Sequence, residues 1–308
     1  MTDRPGLGQG TLVAGGLVLL AGVVWLLSAV GVDIQWEMVL AVALIGVGIA
    51  LLALARSEGG TTPLIIAGAV ITAVLAFTGG AGFGPATKVT EQADFAEPIS
   101  RIMVDTPSGE VEVNAGGEIV HVERTLSYGD ERPEVIEQVE DGVLTLSVRC
   151  EGGGFLIGGC GADYVITAPA DVALEVDTGS GGIDINGMTA GGRFDTGSGG
   201  VDLEGVGGEV SADTGSGSVD GSALVVTSIT ADTGSGGVDL EFASAPDMVE
   251  VSTGSGSVEI TVPEGTYAIA MDSSSGSETL EGVVNDPSAE RTITIDTGSG
   301  GILVEAGG

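Results

Sequence analysis

From Val176 to the end of the chain one phrase keeps returning: VDTGSGGIDI, FDTGSGGVDL, ADTGSGSVDG, ADTGSGGVDL, VSTGSGSVEI, the degenerate MDSSSGSETL, and IDTGSGGILV. The second residue of each copy falls at Asp177, Asp195, Asp213, Asp232, Ser252, Asp272 and Asp296, in steps of 18, 18, 19, 20, 20 and 24 residues. A short and nearly fixed period restricts the fold severely, because one such unit cannot bury its apolar face alone. Successive copies must stack, so the phrase predicts a β-solenoid of 18–20 residue coils with the copies in chain order.

The strand character is visible inside one unit. In VDLEGVGGEVSADTGSGS, Val201 and Leu203 alternate with acids, and Val210 and Ala212 alternate with Glu209 and Ser211. That period of two, broken by Gly-rich turns, gives each coil two or more short strands. A helix is a poor home for so much Gly, Thr and Val. Upstream the phrase loosens: Ile102-Met-Val-Asp-Thr-Pro-Ser-Gly-Glu-Val-Glu-Val repeats it, and Glu118 to Leu126 and Val143 to Val148 read as further strands. Pro133 to Val139 reads as one or two amphipathic helical turns. Residues 101–170 are therefore expected to form an N-terminal capping part of the β domain, and residues 171–308 its regular repeats.

The first 80 residues are of another kind. Residues 11–32, 38–55 and 61–78 are apolar runs without a charge beyond Glu37 and Asp33 between the first two, each about long enough to cross ~30 Å of hydrocarbon as a helix. They predict a three-helix transmembrane region over residues 1–80, joined to the β domain by a linker over 81–100. Trp36 sits at an interface position, and Gly46 with Ala50 has the spacing that lets helices approach closely, although glycine-rich composition alone also produces it. The first run is long and two more follow, so it reads as an anchor rather than a cleaved leader. Arg4 and Arg56 mark the cytoplasmic ends, while the turn carrying Asp33 and Glu37 has no base. This predicts a multi-pass plasma-membrane protein with a cytoplasmic N-terminus and an extracytoplasmic β domain.

Charge narrows the partners. Only Asp3, Asp33, Glu37 and Glu58 of the 44 acids, and Arg4 and Arg56 of the nine bases, precede residue 88. The rest carries 40 acids against seven bases, a net −33. Such a surface repels nucleic acid, whose binding depends on Lys and Arg neutralising phosphates. The two cysteines, Cys150 and Cys160, are not spaced like a zinc or thioredoxin-type pair. Outside the cytoplasm they are expected to close a disulfide; the alternative is two unrelated buried thiols.

Two resemblances are carried by particular residues. Gly31-Val-Asp-Ile-Gln-Trp-Glu-Met-Val-Leu between apolar runs resembles the membrane region of LiaF-like bacterial envelope-stress proteins, over roughly residues 10–55. The phrases IMVDTPSGEVEV, DGVLTLSV, YVITAPADVALEVDTGSGGIDI and ITVPEGTYAIAMDSSSG resemble the bacterial "putative adhesin" β-strand-repeat domain, a family of unknown function, over roughly residues 95–306. That second resemblance implies a right-handed parallel β-helix on the cell envelope.

Candidate chemistry concentrates in the repeat. Asp-Thr-Gly-Ser begins at Asp177, Asp195, Asp213, Asp232 and Asp296 and is also the active-site tetrapeptide of pepsin-like proteases. A protease needs two copies facing each other to share a proton, whereas copies one coil apart stack. Calcium bound as in nine-residue β-rolls fits poorly, because the second half of each unit lacks the turn Asp and Leu203 follows Asp202 directly. A looser cation column along Asp177, Asp195, Asp213 and Asp232 has a motive, since carboxylates ~4.8 Å apart repel by about 0.9 kcal/mol in water. Against it stands a solvated face whose Asp and Thr hydrogen-bond the turns. His121 lies between Val120 and Val122 and is expected to face solvent without a catalytic role. The TGSG turns are a poor phosphate cradle beside so many acids.

The chain is thus expected to be a non-catalytic, membrane-anchored structural or adhesin-like module that binds a surface polymer or protein and needs no cofactor. The competing expectation is LiaF-like sensing of envelope stress, with regulation of a membrane partner such as a sensor kinase.

Overall fold

The computed structural model describes residues 87–129, 131–150 and 160–307. The three expected spans and the LiaF-like segment lie outside the described residues, among which no helix is long and apolar enough to cross a membrane. All regular structure described is strand. The N-terminal part supplies β1 (Thr87–Phe95), β2 (Arg101–Thr106), β3 (Val111–Ala115), β4 (Val120–Tyr128), β5 (Glu134–Glu140), β6 (Val143–Arg149) and β7 (Gly161–Ala168). The repeats follow as β8 (Ala173–Thr178), β9 (Ile183–Asn186), β10 (Gly191–Thr196), β11 (Val201–Glu204), β12 (Gly207–Thr214), β13 (Val219–Thr233), β14 (Val238–Phe242), β15 (Met248–Thr253) and β16 (Val258–Pro263). The last segment forms β17 (Thr266–Ser273), β18 (Glu278–Glu281), β19 (Val284–Asn285), β20 (Thr292–Thr297) and β21 (Ile302–Gly307).

Each coil places one strand in each of two sheets. The strand carrying Asp-Thr joins the first sheet, whose order is β5–β6–β2–β8–β10–β12–β13–β15–β20–β17. After the Gly-Ser-Gly turn the chain enters the second sheet, ordered β1–β4–β7–β3–β9–β11–β13–β14–β16–β21–β18. Pairing is parallel throughout the repeats and antiparallel only at β1–β4, β4–β7 and β5–β6. The long β13 bends from the second sheet into the first, with Ala223 at φ 51°. Inward residues of both sheets, such as Leu174 and Val176 with Ile183 and Ile185, join in one core cluster. Alternate side chains fill that core and the intervening ones face water, as a strand period of two requires.

The structure departs from the sequence expectations in three places. Residues 87–95 of the expected linker form β1, the edge of the second sheet. Pro133 to Val139 does not form helical turns; Glu134–Glu140 is β5, hairpinned to β6. Asp141 at φ 52° and Gly142 at φ 78° turn the corner, the two left-handed residues that a tight hairpin needs. The copies also do not all stack in chain order: β20, with Asp296, lies between β15 and β17, so the degenerate copy at Asp272 is outermost. At the other end β2 lies between β6 and β8.

Candidate functional site

In ALEVDT and its relatives the alternation buries Leu174, Val176 and Thr178 and turns Asp177 outward. Parallel registry then sets Asp177 beside Asp195, Asp195 beside Asp213 and Asp213 beside Asp232. The column extends beyond these four, to Asp105 on one side and through Ser252 to Asp296 and Asp272 on the other. The four aspartates, with the Thr and Gly that follow each, line a shallow groove of about 550 Å³.

The threonines explain much of the phrase. Thr196, Thr214, Thr233 and Thr253 are buried, and each hydroxyl donates to a turn carbonyl of the preceding rung: Gly181 at 2.9 Å, Gly199 at 2.8 Å, Gly217 at 2.9 Å and Gly236 at 3.0 Å. Thr178 donates likewise to Gly109 and Thr297 to Gly256, both at 3.2 Å. This satisfies half-buried carbonyls that the turn takes out of the strand ladder. The second turn glycine has a different cause, close approach. A Cβ at Gly217 would stand against the carbonyl oxygen of Gly199, and one at Gly236 against that of Gly217, with no flexible side chain to give way. Thr and Gly are therefore the stacking spine, and Asp faces outward.

Sequence reasoning missed a second ladder. On the outer face of the second sheet Glu112, Asp184, Asp202, Asp220, Asp239 and Glu259 stand in register across six rungs. Its signal is present as the acid of the VEV, IDI, VDL, VDG and VEI triplets, which from Asp184 onward repeat with the same period. Asp184, Asp202, Asp220 and Asp239, with Glu204 and Glu241 nearby, line a second groove of about 410 Å³. Partial burial, then a hydrogen bond with Glu110 and the charges of Asp202, Glu110 and Glu112, push the Asp184 carboxyl up to about 6. Burial followed by the charge of Asp220 also raises Asp202 and Asp239. In the first column burial raises Asp195 and Asp232, with Asp213 adding to both and Arg193 opposing at Asp195.

Arg193 interrupts the first column chemically. Its Nε lies 2.8 Å from Asp195 Oδ2 and its Nη2 3.2 Å from Asp213 Oδ2. The five Asp-Thr-Gly-Ser copies run in the same direction on one sheet, with their threonines spent on the neighbouring turns. Two copies never approach across a cleft, the arrangement a proton-sharing protease dyad requires. Among the described residues no group of three or more His, Cys, Asp or Glu side chains is placed to hold a metal ion.

The N-terminal end is closed by charge instead of by another rung. Arg124 occupies an inward position of β4 between Val122 and Leu126, and its guanidinium bonds Glu137 of β5 and, at 2.5 Å, Glu91 of β1. Arg132 bonds the other Glu91 oxygen at 2.5 Å. These two guanidiniums hold Glu91 below the usual carboxylate range. The network thus ties the edge strand of one sheet to that of the other. Beneath it, burial pushes the Tyr164 hydroxyl up to about 12, and it has no hydrogen-bond partner among the described residues. His121 is exposed and lies 2.5 Å from Asp94. Cys150 and Cys160 are joined by a disulfide with a Cα–Cα distance of 6.1 Å.

Comparison with known proteins follows this geometry. No curated protein matches the chain. Among solved structures, a "putative adhesin" from Bacteroides fragilis NCTC 9343 is 14% identical, with a TM-score of 0.46, covering 71% of this chain and 97% of its own. A "putative lipid binding protein" from Parabacteroides distasonis ATCC 8503 is 13% identical, with a TM-score of 0.39, covering 74% and 98%. A "putative cell adhesion protein" from Clostridium sporogenes ATCC 15579 is 15% identical, with a TM-score of 0.33, covering 72% and 100%. The family described as Toastrack DUF4097 matches residues 96–305, which take in the regular stack up to Glu305 of β21, and the chain belongs to that family.

Proposed function

We propose that this chain is a non-catalytic, adhesin-like binding module: an acidic β-solenoid held to the plasma membrane by residues 1–80 and displayed outside the cytoplasm. The observation that carries this reading is the registry of the stack. Like residues recur on both broad faces one strand spacing apart, including Asp184, Asp202, Asp220 and Asp239 on one and Asp177, Asp195, Asp213 and Asp232 on the other. A surface that repeats every ~4.8 Å suits an extended ligand with its own repeat, such as a surface polymer or an extended protein segment, better than a compact substrate. The acidic faces also support cation association along the column. Anchorage and orientation rest on the three apolar runs, on Arg4 and Arg56, and on the disulfide, which persists in oxidising compartments.

The test compares cells carrying the full chain with cells carrying a chain that lacks residues 88–308, using purified envelope polymers as ligand. Loss of polymer binding on deletion is expected, and equal binding by both refutes the reading. Unchanged binding together with altered envelope-stress gene expression favours the LiaF-like alternative, in which the solenoid is the external input to a membrane sensor kinase.

A further inference from the structure

Each sheet ends in a strand whose outer row of N–H and C=O groups is a template for another chain. Three of these four ends are guarded. At the C-terminal end β18 is only Glu278–Glu281, acidic at both ends, and β17 is already paired at Thr266 and Tyr267 by β19. At the N-terminal end β5 carries Glu134, Glu137 and Glu140 and no base, so pairing with itself sets Glu134 against Glu140. The fourth end, β1, runs for nine residues, Thr87–Phe95, and pairs with β4 on one side only. Among the described residues no further backbone hydrogen bond reaches its outer edge.

The sequence of β1, TKVTEQADF, is complementary to its own reverse. All nine residues pair with those of a second copy only when the two strands run antiparallel about Glu91. That register sets Lys88 opposite Asp94 twice, both on the exposed outer face, and Val89 opposite Ala93 on the half-buried inner face. The paired residues differ by an even number, so outward-pointing backbone groups of one strand meet those of the other. Glu91 meets its own copy at the centre, but its two oxygens are already bonded by Arg124 and Arg132, each at 2.5 Å. This end is also where two copies of so acidic a chain can approach. Lys88, Arg101, Arg124, Arg132 and Arg149 are five of the seven bases that follow residue 87.

We infer that β1 is a self-docking edge: it pairs antiparallel with the β1 of a second copy about Glu91 and joins the two second sheets across a two-fold axis. Lys88 of each copy then binds Asp94 of the other, beside His121, which already lies 2.5 Å from Asp94. Such an isologous contact closes at two copies.

Lys88 and Asp94 stand about 20 Å apart on one strand, too far to touch within a chain, so charge reversal isolates the contact between copies. The full-length chain is followed in detergent solution by sedimentation velocity over a concentration series. The wild type is expected to double its protein mass as concentration rises. Lys88→Glu alone and Asp94→Lys alone set like charges at both contacts and are expected to weaken the dimer about tenfold or more. Mixed in equal amounts, the two variants regain both opposite-charge pairs in each mixed dimer and are expected to associate as the wild type does. A wild type that stays monomeric across the series overturns the inference. So does a dimer that either substitution leaves unchanged, which places the contact elsewhere in the chain, and so does a mixture no more associated than its components. Hydrogen-exchange protection of β9 and β11 reports that each variant has folded. If Asp94→Lys loses it through the contact with His121, Asp94→Asn takes its place, and its mixture with Lys88→Glu must still associate more than Lys88→Glu alone.

Discussion

Lowering the pH from 7 to about 5 should stabilise this protein, because its ladders hold carboxylates that bind protons more tightly folded than unfolded. Asp184 is the strongest case, moved from its ordinary 3.8 to about 6 by burial, the bond with Glu110 and the neighbouring acids. Taken at face value the move is worth about 3 kcal/mol. The side chain keeps contact with water, so screening leaves roughly 1 kcal/mol. A raised folded-state value means that this stability is complete below pH ~4 and is lost as the pH rises through ~6. Asp195, Asp202, Asp232 and Asp239 shift in the same direction and steepen the trend. Glu91 acts oppositely, since its lowered value makes the Arg124 and Arg132 pairing a contribution that disappears under acid. Stability should therefore peak near pH 4.5–5 and fall on both sides. At about 2–4 °C per kcal/mol for a β domain of this size, the Asp184 contribution alone raises Tm by a few degrees between pH 7 and 5. Circular dichroism of the full-length chain at low salt measures it, beside Asp184→Asn. A flat or falling Tm over that interval refutes the reasoning, and so does an Asp184→Asn variant whose slope equals the wild type's.

Four further outcomes are expected. Salt or calcium should raise Tm at pH 7, because neighbouring carboxylates repel by about 0.9 kcal/mol per pair in water; no response to either in a thermal melt contradicts this. Thr214→Val keeps the shape but leaves the Gly199 carbonyl without its 2.8 Å partner, and should cost about 1–3 kcal/mol in a denaturant titration. Gly217→Ala, whose methyl meets the Gly199 carbonyl, should prevent cooperative folding, whereas Gly200→Ala, with its nearest atom at 3.5 Å, should change stability by no more than about 0.5 kcal/mol. Reducing the Cys150–Cys160 disulfide should remove roughly 3 kcal/mol on the chain-entropy estimate, read as a lower Tm in the presence of a thiol.

The regular part of the fold was legible because its period is enforced by contacts that every copy must repeat. Steps of 18 to 20 residues became the registers Asp177, Asp195, Asp213, Asp232 and Ser252. The irregular ends were not, and the reasons are local. The well-formed copy at Asp296 sits inside the stack, where Thr297 must reach Gly256 and a Cβ at Gly300 would meet Gly256 again. The copy at Asp272 has rungs on one side only, so its phrase was free to decay to MDSSSG. Degeneracy thus marked the outer rung, even though a better copy follows it in the chain. The helical reading of Pro133 to Val139 failed because Asp141-Gly142 beside a strand is a hairpin signal that outweighs a short amphipathic run. The second ladder is hard to read because each rung contributes one acid that alternation alone would place on any solvated strand face, and Arg124 because an inward arginine has no repeat to announce it.

The interleaved ends also bear on force. Residues 292–307 are not the outermost rung: β20 is paired along its length to β15 on one side and β17 on the other, and β21 is paired along its length to β16 and over Ile302–Glu305 to β18. Tension applied at the end of β21 cannot peel a terminal coil one bond at a time. It must draw an interior pair of strands out from between two neighbours, loading both ladders together, so the stack resists pulling from that end as a latch and not as a zipper.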